Sequence, residues 1–282
     1  MKKTLIALLA LGSMASAFED AVWSFEDSLE ATTKIPNLSY TIQGGESAIY
    51  TQVTEITKDS KVGDYYLTQN LGKAITLRGD QRIFVGRNAY WSNGDGTLAL
   101  GQSGNNSFTI MTWVYFDSNT LPEEQFLFGT GNNGGSGFSF AVHNGKLDLL
   151  AKGKAHHDIP SDTVVQSKEW TNIAITYNAT TGTATGYING DVVGTLDNLN
   201  ASTIQFASAG GAAAAIGSGS AEAQQSAFIG NMAEFQILNG ALTQEQVLAA
   251  AHLTKVAPVP EPTTGSLSLL ALAGLCARRR KK

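Results

Sequence analysis

The sequence predicts an all-β fold, an antiparallel sandwich closed by one short helix. Short runs of β-branched and aromatic residues recur along the chain, separated by Gly, Asn and Asp. Two Asn-Gly pairs sit between alternating runs, where the φ > 0 positions of type I′ hairpin turns belong. Only one helical pattern interrupts the strands. With 282 residues, 43% hydrophobic and 15% charged, the chain is neither a disordered segment nor a polytopic membrane protein. One cysteine forbids an intrachain disulfide, and four histidines leave little for a zinc cage.

At the N-terminus, Lys2 and Lys3 precede an apolar run from Leu5 to Leu11, and Ala15-Ser16-Ala17 offers a small-x-small cleavage site. The expectation is a signal peptide over residues 1–17, with the mature chain starting at Phe18. Strands are expected at Ala21 to Phe25, Ala74 to Arg78, Gln81 to Val85, Phe108 to Phe116, Gln125 to Phe128 and Gly137 to Val142. More follow at Lys146 to Ala151, Asn172 to Tyr177, Thr183 to Ile188, Val192 to Leu196 and Ala233 to Leu238. Asn144-Gly145 and Asn189-Gly190 close the two hairpins. From Ala207 to Ser226 the chain turns to Ala, Gly, Ser and Gln, side chains too small to fill a sandwich layer, and a flexible surface loop is expected there. Thr243-Gln244-Glu245-Gln246 has capping-box spacing, with Leu242, Val247, Leu248 and Ala251 at helical intervals behind it. One domain over residues 18–257 is the economical division.

The C-terminus carries Pro260-Glu261-Pro262, an apolar stretch from Leu267 to Ala277, and the basic run from Arg278 through Arg279 and Arg280 to Lys282. As a helix the apolar stretch rises only about 17 Å, short of a hydrocarbon core of about 30 Å. Its basic end belongs on the cytoplasmic side. Residues 258–282 resemble the PEP-CTERM sorting signal of bacterial surface proteins. That resemblance implies recognition by a membrane exosortase, transient membrane contact through the short apolar helix, and delivery to the cell surface or the exopolysaccharide matrix. Without both terminal signals, 12 basic and 23 acidic residues remain, a net charge of -11. Such a surface disfavours nucleic acid as a partner.

A second resemblance covers residues 20 to 252. Phe108-Thr109-Ile110-Met111-Thr112-Trp113-Val114, the stretch from Glu169 to Tyr177 with Gly186-Tyr187-Ile188-Asn189-Gly190, and the run from Phe228 to Leu238 are similar to the strands of laminin G-like, concanavalin A-like jelly rolls. This implies an antiparallel jelly roll with Trp113 and Trp170 in its core. It also implies a calcium ion between the first and last strands, for which Glu26 or Asp27 with Glu234 are the candidate ligands. The family more often has Asp at the position of Glu234.

For catalysis the residues offer little. Two carboxylates must flank one glycosidic bond, and the Glu-x-Asp-x-x-Glu string of the β-glucanases on this fold is absent. The strands from Phe108 to Phe116, Asn172 to Tyr177 and Thr183 to Ile188, expected to form the concave surface, carry no acids. No Gly-x-Ser-x-Gly elbow occurs either. His156-His157-Asp158 presents two ligands to one face of an extended chain and reads as a polar surface loop. Ser92 to Thr97 reads as a Gly-Asp-Gly turn. Tyr65-Tyr66 and Tyr90-Trp91 could each turn one ring outward as a sugar platform. The expected function is a non-catalytic glycan-binding or structural module at the cell surface, the alternative a glycoside hydrolase acting on extracellular polysaccharide.

Overall fold

The computed structural model describes residues 20–29, 40–43, 47–85, 107–118, 123–130, 138–151, 156–199, 214–219 and 227–255. The expected signal peptide with its cleavage site at Ala15, Ala17 and Phe18, the turn expected at 92–97, Tyr90 and Trp91 lie outside the described residues. So does the C-terminal tail, where a short apolar helix is expected. Among the described residues no helix is long and apolar enough to cross a membrane.

In chain order the strands are β1 Ala21–Trp23, β2 Tyr40–Gln43, β3 Ile49–Gln52, β4 Lys61–Val62, β5 Tyr65–Leu67, β6 Lys73–Arg78, β7 Arg82–Val85, β8 Phe108–Phe116 and β9 Glu124–Thr130. They continue as β10 Phe138–His143, β11 Lys146–Ala151, β12 Thr171–Asn178, β13 Thr183–Ile188, β14 Asp191–Leu196, β15 Ala214–Ile216 and β16 Ile229–Asn239. Helix α1 Gln244–Ala250 and strand β17 Leu253–Thr254 complete the chain. One sheet runs β14-β13-β12-β8-β16-β6-β3, with β1 also paired to β16, and the second runs β11-β10-β9-β15-β7-β2. A small sheet orders β17-β5-β4. All ladder pairings between named strands are antiparallel, the arrangement of a jelly-roll sandwich.

The period-2 alternation of β8 sends Phe108, Ile110, Val114 and Phe116 into the core between the large sheets, and Met111 and Trp113 to the opposite face. Phe108 stacks on Phe138 across that core at 5.2 Å between centroids. Each such fully buried ring stabilises the fold by about 1.5–3 kcal/mol. On its outer face the larger sheet is covered by a second core, in which Met111, Trp113 and Tyr187 meet Tyr65, Val247 and Leu253. Trp113 and Trp170 are both buried, as the resemblance implies. Tyr65 is buried and Tyr66 half-exposed, so one ring of that pair turns outward.

The local chemistry follows the sequence closely. Both Asn-Gly pairs have positive φ at each residue (Asn144 50°, Gly145 77°, Asn189 52°, Gly190 83°), as type I′ turns require. Thr243 caps α1 with both hydrogen bonds of a capping box. Two expectations fail. The loop expected from Ala207 to Ser226 contains β15, whose Ala214, Ala215 and Ile216 are all fully buried between β9 and β7. Its partner strand is also closely approached: a Cβ on Gly129, which pairs with Ala215, would lie 2.1 Å from the Gly219 carbonyl oxygen. The strands expected to form an open concave surface, β8, β12 and β13, instead lie in the sheet whose outer face is covered.

Candidate functional site

The outer face of the smaller sheet carries a cluster of titratable side chains at its β9-β10-β11 end. In β11, Leu147 and Leu149 turn into the sandwich core, so alternation turns Asp148 the other way. Asp148 pairs with Ala141, and His143 at the end of β10 pairs with both Lys146 and Glu124. Hairpin register alone therefore gathers an acid from β9, a histidine from β10 and an acid from β11. The segment 156–160 lies along β11, with Ile159 N donating to Leu147 O at 2.8 Å and a bridge between Asp148 and Asp158. It brings His156 and Asp158 to the same place.

Asp148 has no exposed surface. It accepts from His156 Nδ1 at 2.7 Å and from His157 N at 2.8 Å. Burial pushes the Asp148 carboxyl above the usual carboxylate range, against those hydrogen bonds. The Asp148 hydrogen bond is in turn the chief reason that the His156 imidazole is held above its ordinary pKa. On the far side of the ring, His156 Nε2 lies 3.7 Å from Glu124 Oε1. That separation is an ion-pair distance and not a hydrogen bond, and Glu124 Oε1 is buried without a hydrogen-bond partner. His143 Nδ1 meets both oxygens of Asp158, at 2.8 and 3.1 Å, and its Nε2 lies 3.1 Å from Asn144 Nδ2. The His143 and His156 rings lie face to face, 3.9 Å between centroids and 6° between planes.

His156 and Asp158 do share a face, as an extended chain requires. They belong, however, to an ordered cluster and not to an isolated polar loop: ligand atoms of His143, His156 and Asp158, and likewise of Glu124, Asp148 and His156, lie within 4.8 Å of one another. Sequence reading missed Glu124, His143 and Asp148. The signal was available, since the Asn144-Gly145 turn sets His143 opposite Lys146 and Asp148 opposite Ala141.

The carboxylates expected to hold calcium have other partners. Glu26 Oε1 accepts from Lys73 N at 2.8 Å, and Asp27 pairs with the Lys73 ammonium. Glu234, at a bulge in β16 with φ of 49°, faces His252 Nε2 at 3.2 Å. Among the described residues these three do not form a group with ligand atoms within 4.8 Å.

Two antiparallel sheets packed face to face, one with its outer face covered and the other with a polar cluster on its outer face, define a jelly-roll β-sandwich. A family model described as the concanavalin A-like lectin/glucanases superfamily matches residues 68–248, and the chain belongs to that superfamily. The PEP-CTERM protein-sorting motif matches residues 258–281, marking an exported, cell-surface protein. Among curated proteins nothing matches. Among solved structures, domain 4 of AbnA, a GH43 extracellular arabinanase from Geobacillus stearothermophilus, in complex with arabinotriose, is similar at 22% identity and a TM-score of 0.57. The match covers 83% of this chain and 98% of that one. The binding domain of botulinum neurotoxin DC, in complex with rat synaptotagmin II, is similar at 16% identity and a TM-score of 0.52, over 82% of this chain and 50% of the toxin chain. The binding domain of Paraclostridial Mosquitocidal Protein 1 is similar at 17% identity and a TM-score of 0.51, with 82% and 50% covered. These similarities are of fold.

Proposed function

We propose that the chain is a non-catalytic glycan-binding module of the bacterial cell surface, and that its ligand docks on the outer face of the smaller sheet. One observation carries this reading: the outer face of the larger sheet is closed by a second apolar core, whereas the smaller sheet presents half-exposed Glu124, His143 and Asp158 on its outer face. Such groups supply the hydrogen bonds that sugar hydroxyls require. The fold-level likeness to an arabinanase domain solved with arabinotriose supports the ligand class by analogy.

Binding is favoured over hydrolysis by the burial of Asp148. Glu124 and Asp148 are two acids close together, but Asp148 has no exposed surface and both its oxygens accept hydrogen bonds from within the protein. It has no route to a glycosidic bond. A glycan array probed with the full-length chain should reveal binding that His143→Ala with Asp158→Ala removes, with no reducing sugar released from the bound polysaccharide. Turnover abolished by Glu124→Gln would replace this reading with the hydrolase.

Delivery to the surface rests on Pro260, Glu261, Pro262 and the cluster Arg278, Arg279 and Arg280, read as an exosortase substrate whose tail is removed. Intact-mass analysis of surface-extracted protein should then lack Arg278 to Lys282. Recovery of the complete tail from surface material would make it a retained anchor.

A further inference from the structure

We infer that Glu124 and His156, backed by the buried carboxylate of Asp148, form a binding site for a first-row divalent metal ion of the zinc type. This inference goes beyond the glycan reading and does not rest on it.

His156 comes first. The Asp148 carboxylate, fully buried, lies 2.7 Å from Nδ1 and selects the tautomer protonated there, so the neutral ring carries its in-plane lone pair on Nε2 and a metal ion binding at Nε2 displaces only a proton. A buried carboxylate behind a histidine is the arrangement that fixes tautomer and ring orientation in metal centres and raises the basicity of the ligating nitrogen. His157 N also donates to Asp148, at 2.8 Å, which holds that carboxylate in place.

The second ligand is Glu124. Its Oε1 is buried and accepts no hydrogen bond, an arrangement that costs free energy unless a cation or a proton answers it. The 3.7 Å between Oε1 and His156 Nε2 is too long for a hydrogen bond. It is the separation that two metal-ligand bonds of about 2.0–2.2 Å bridge at an open angle. A third observation concerns the ring above. His143 lies parallel to His156 at 3.9 Å, with Nδ1 held by Asp158. A histidine ligates in its own plane, so His143 is a positioning residue that keeps the His156 ring from turning, and not a ligand. The His156 side chain is 39% exposed, so water reaches the ring, and in the proposed site the remaining coordination positions are left to it.

One carboxylate oxygen and one imidazole nitrogen select for zinc, copper, nickel or cobalt over magnesium and calcium, which prefer all-oxygen shells. The competing account of the same geometry is an imidazolium clamped between two carboxylates, needing no metal. The two accounts part on metal dependence. Zinc added to the chelator-treated full-length chain should raise the melting temperature by mass action, and equimolar calcium or magnesium should not. His156→Ala should abolish that rise and Glu124→Gln should weaken zinc binding at least tenfold. Both side chains are partly exposed, so neither change removes core packing. Asp148→Asn should lower zinc affinity about 10- to 100-fold, the usual effect of removing such a supporting carboxylate. Copper loaded at one equivalent should give an electron paramagnetic resonance signal with coupling from a single nitrogen, lost in His156→Ala. No zinc-dependent shift in the unmodified chain, or equal zinc binding by His156→Ala and the unmodified chain, would overturn the site in favour of the clamped imidazolium. These measurements contain no glycan, so their failure leaves the binding reading untouched, and the reverse.

Discussion

Tyr65 Oη donates to Asp191 Oδ1 at 2.6 Å, joining β5, which caps the larger sheet, to the first residue of β14 at that sheet's edge. Gln244 Nε2, in the first turn of α1, lies 3.4 Å from the same hydroxyl. A single phenol thus ties two pieces of the covering layer, β5 and α1, to the edge of the sheet beneath them.

Burial, followed by the hydrogen bond to Asp191 and its charge, pushes the Tyr65 hydroxyl up to about 12. The folded state therefore keeps this proton after the unfolded chain has lost it near pH 10, and stability falls as pH rises from 10 towards 12. Tyr65→Phe should lower stability at neutral pH by about 1–2 kcal/mol and flatten that alkaline decline. Urea unfolding at pH 7 and pH 11 checks both. An equally steep alkaline loss in the variant would assign it to another group.

Gly129 tests the close approach beneath β15. A methyl group there would meet Gly219 O at 2.1 Å, a backbone atom that cannot step aside alone. Gly129→Ala should cost about 1–3 kcal/mol, as overpacking does. A loss below about 0.5 kcal/mol in urea titration would mean that the Gly219 segment is not packed against β9.

Ile216 tests β15 itself, since a loop residue would be dispensable. Being fully buried and paired on both sides, it should cost about 2–5 kcal/mol on change to Ala. Thermal unfolding that barely moves would return residues 214–216 to the surface loop that composition suggests.

Lys73 bears on calcium. Its ammonium holds Asp27 while its backbone N–H holds Glu26, so an ion at these carboxylates has to displace a resident cation. Lys73→Met should gain a calcium-dependent rise in melting temperature that exceeds any in the unmodified chain. Identical calcium responses in the two would show that Lys73 does not compete.

What could be read from the sequence was local. The Asn144-Gly145 and Asn189-Gly190 turns and the Thr243 cap are fixed by φ preferences and by side chains three residues apart, and all three stand as expected. Sheet membership is not local. Nothing in Phe108 to Phe116 says whether its outer side meets water or Val247, more than a hundred residues away. Ala214-Ala215-Ile216 escaped notice because two alanines carry little strand signal, and the partners β7 and β9 that bury them lie far away in the chain. The His156 cluster was half legible, since its other members come from three strands and their register had to be known first.

Strand β16 lies between β8 on one side and β6 and β1 on the other, changing partner around Glu234. Its position in the sheet is central, yet it is the last long strand to be synthesised. Ala21 in β1 waits for Ile237, more than two hundred residues downstream. Closing such distant pairings makes folding slow, and until residue 239 has emerged the two parts of the sheet have nothing to join them. For an exported chain this ordering makes completion of the larger sheet wait on its last long strand, so the sheet closes only when nearly the whole domain is present.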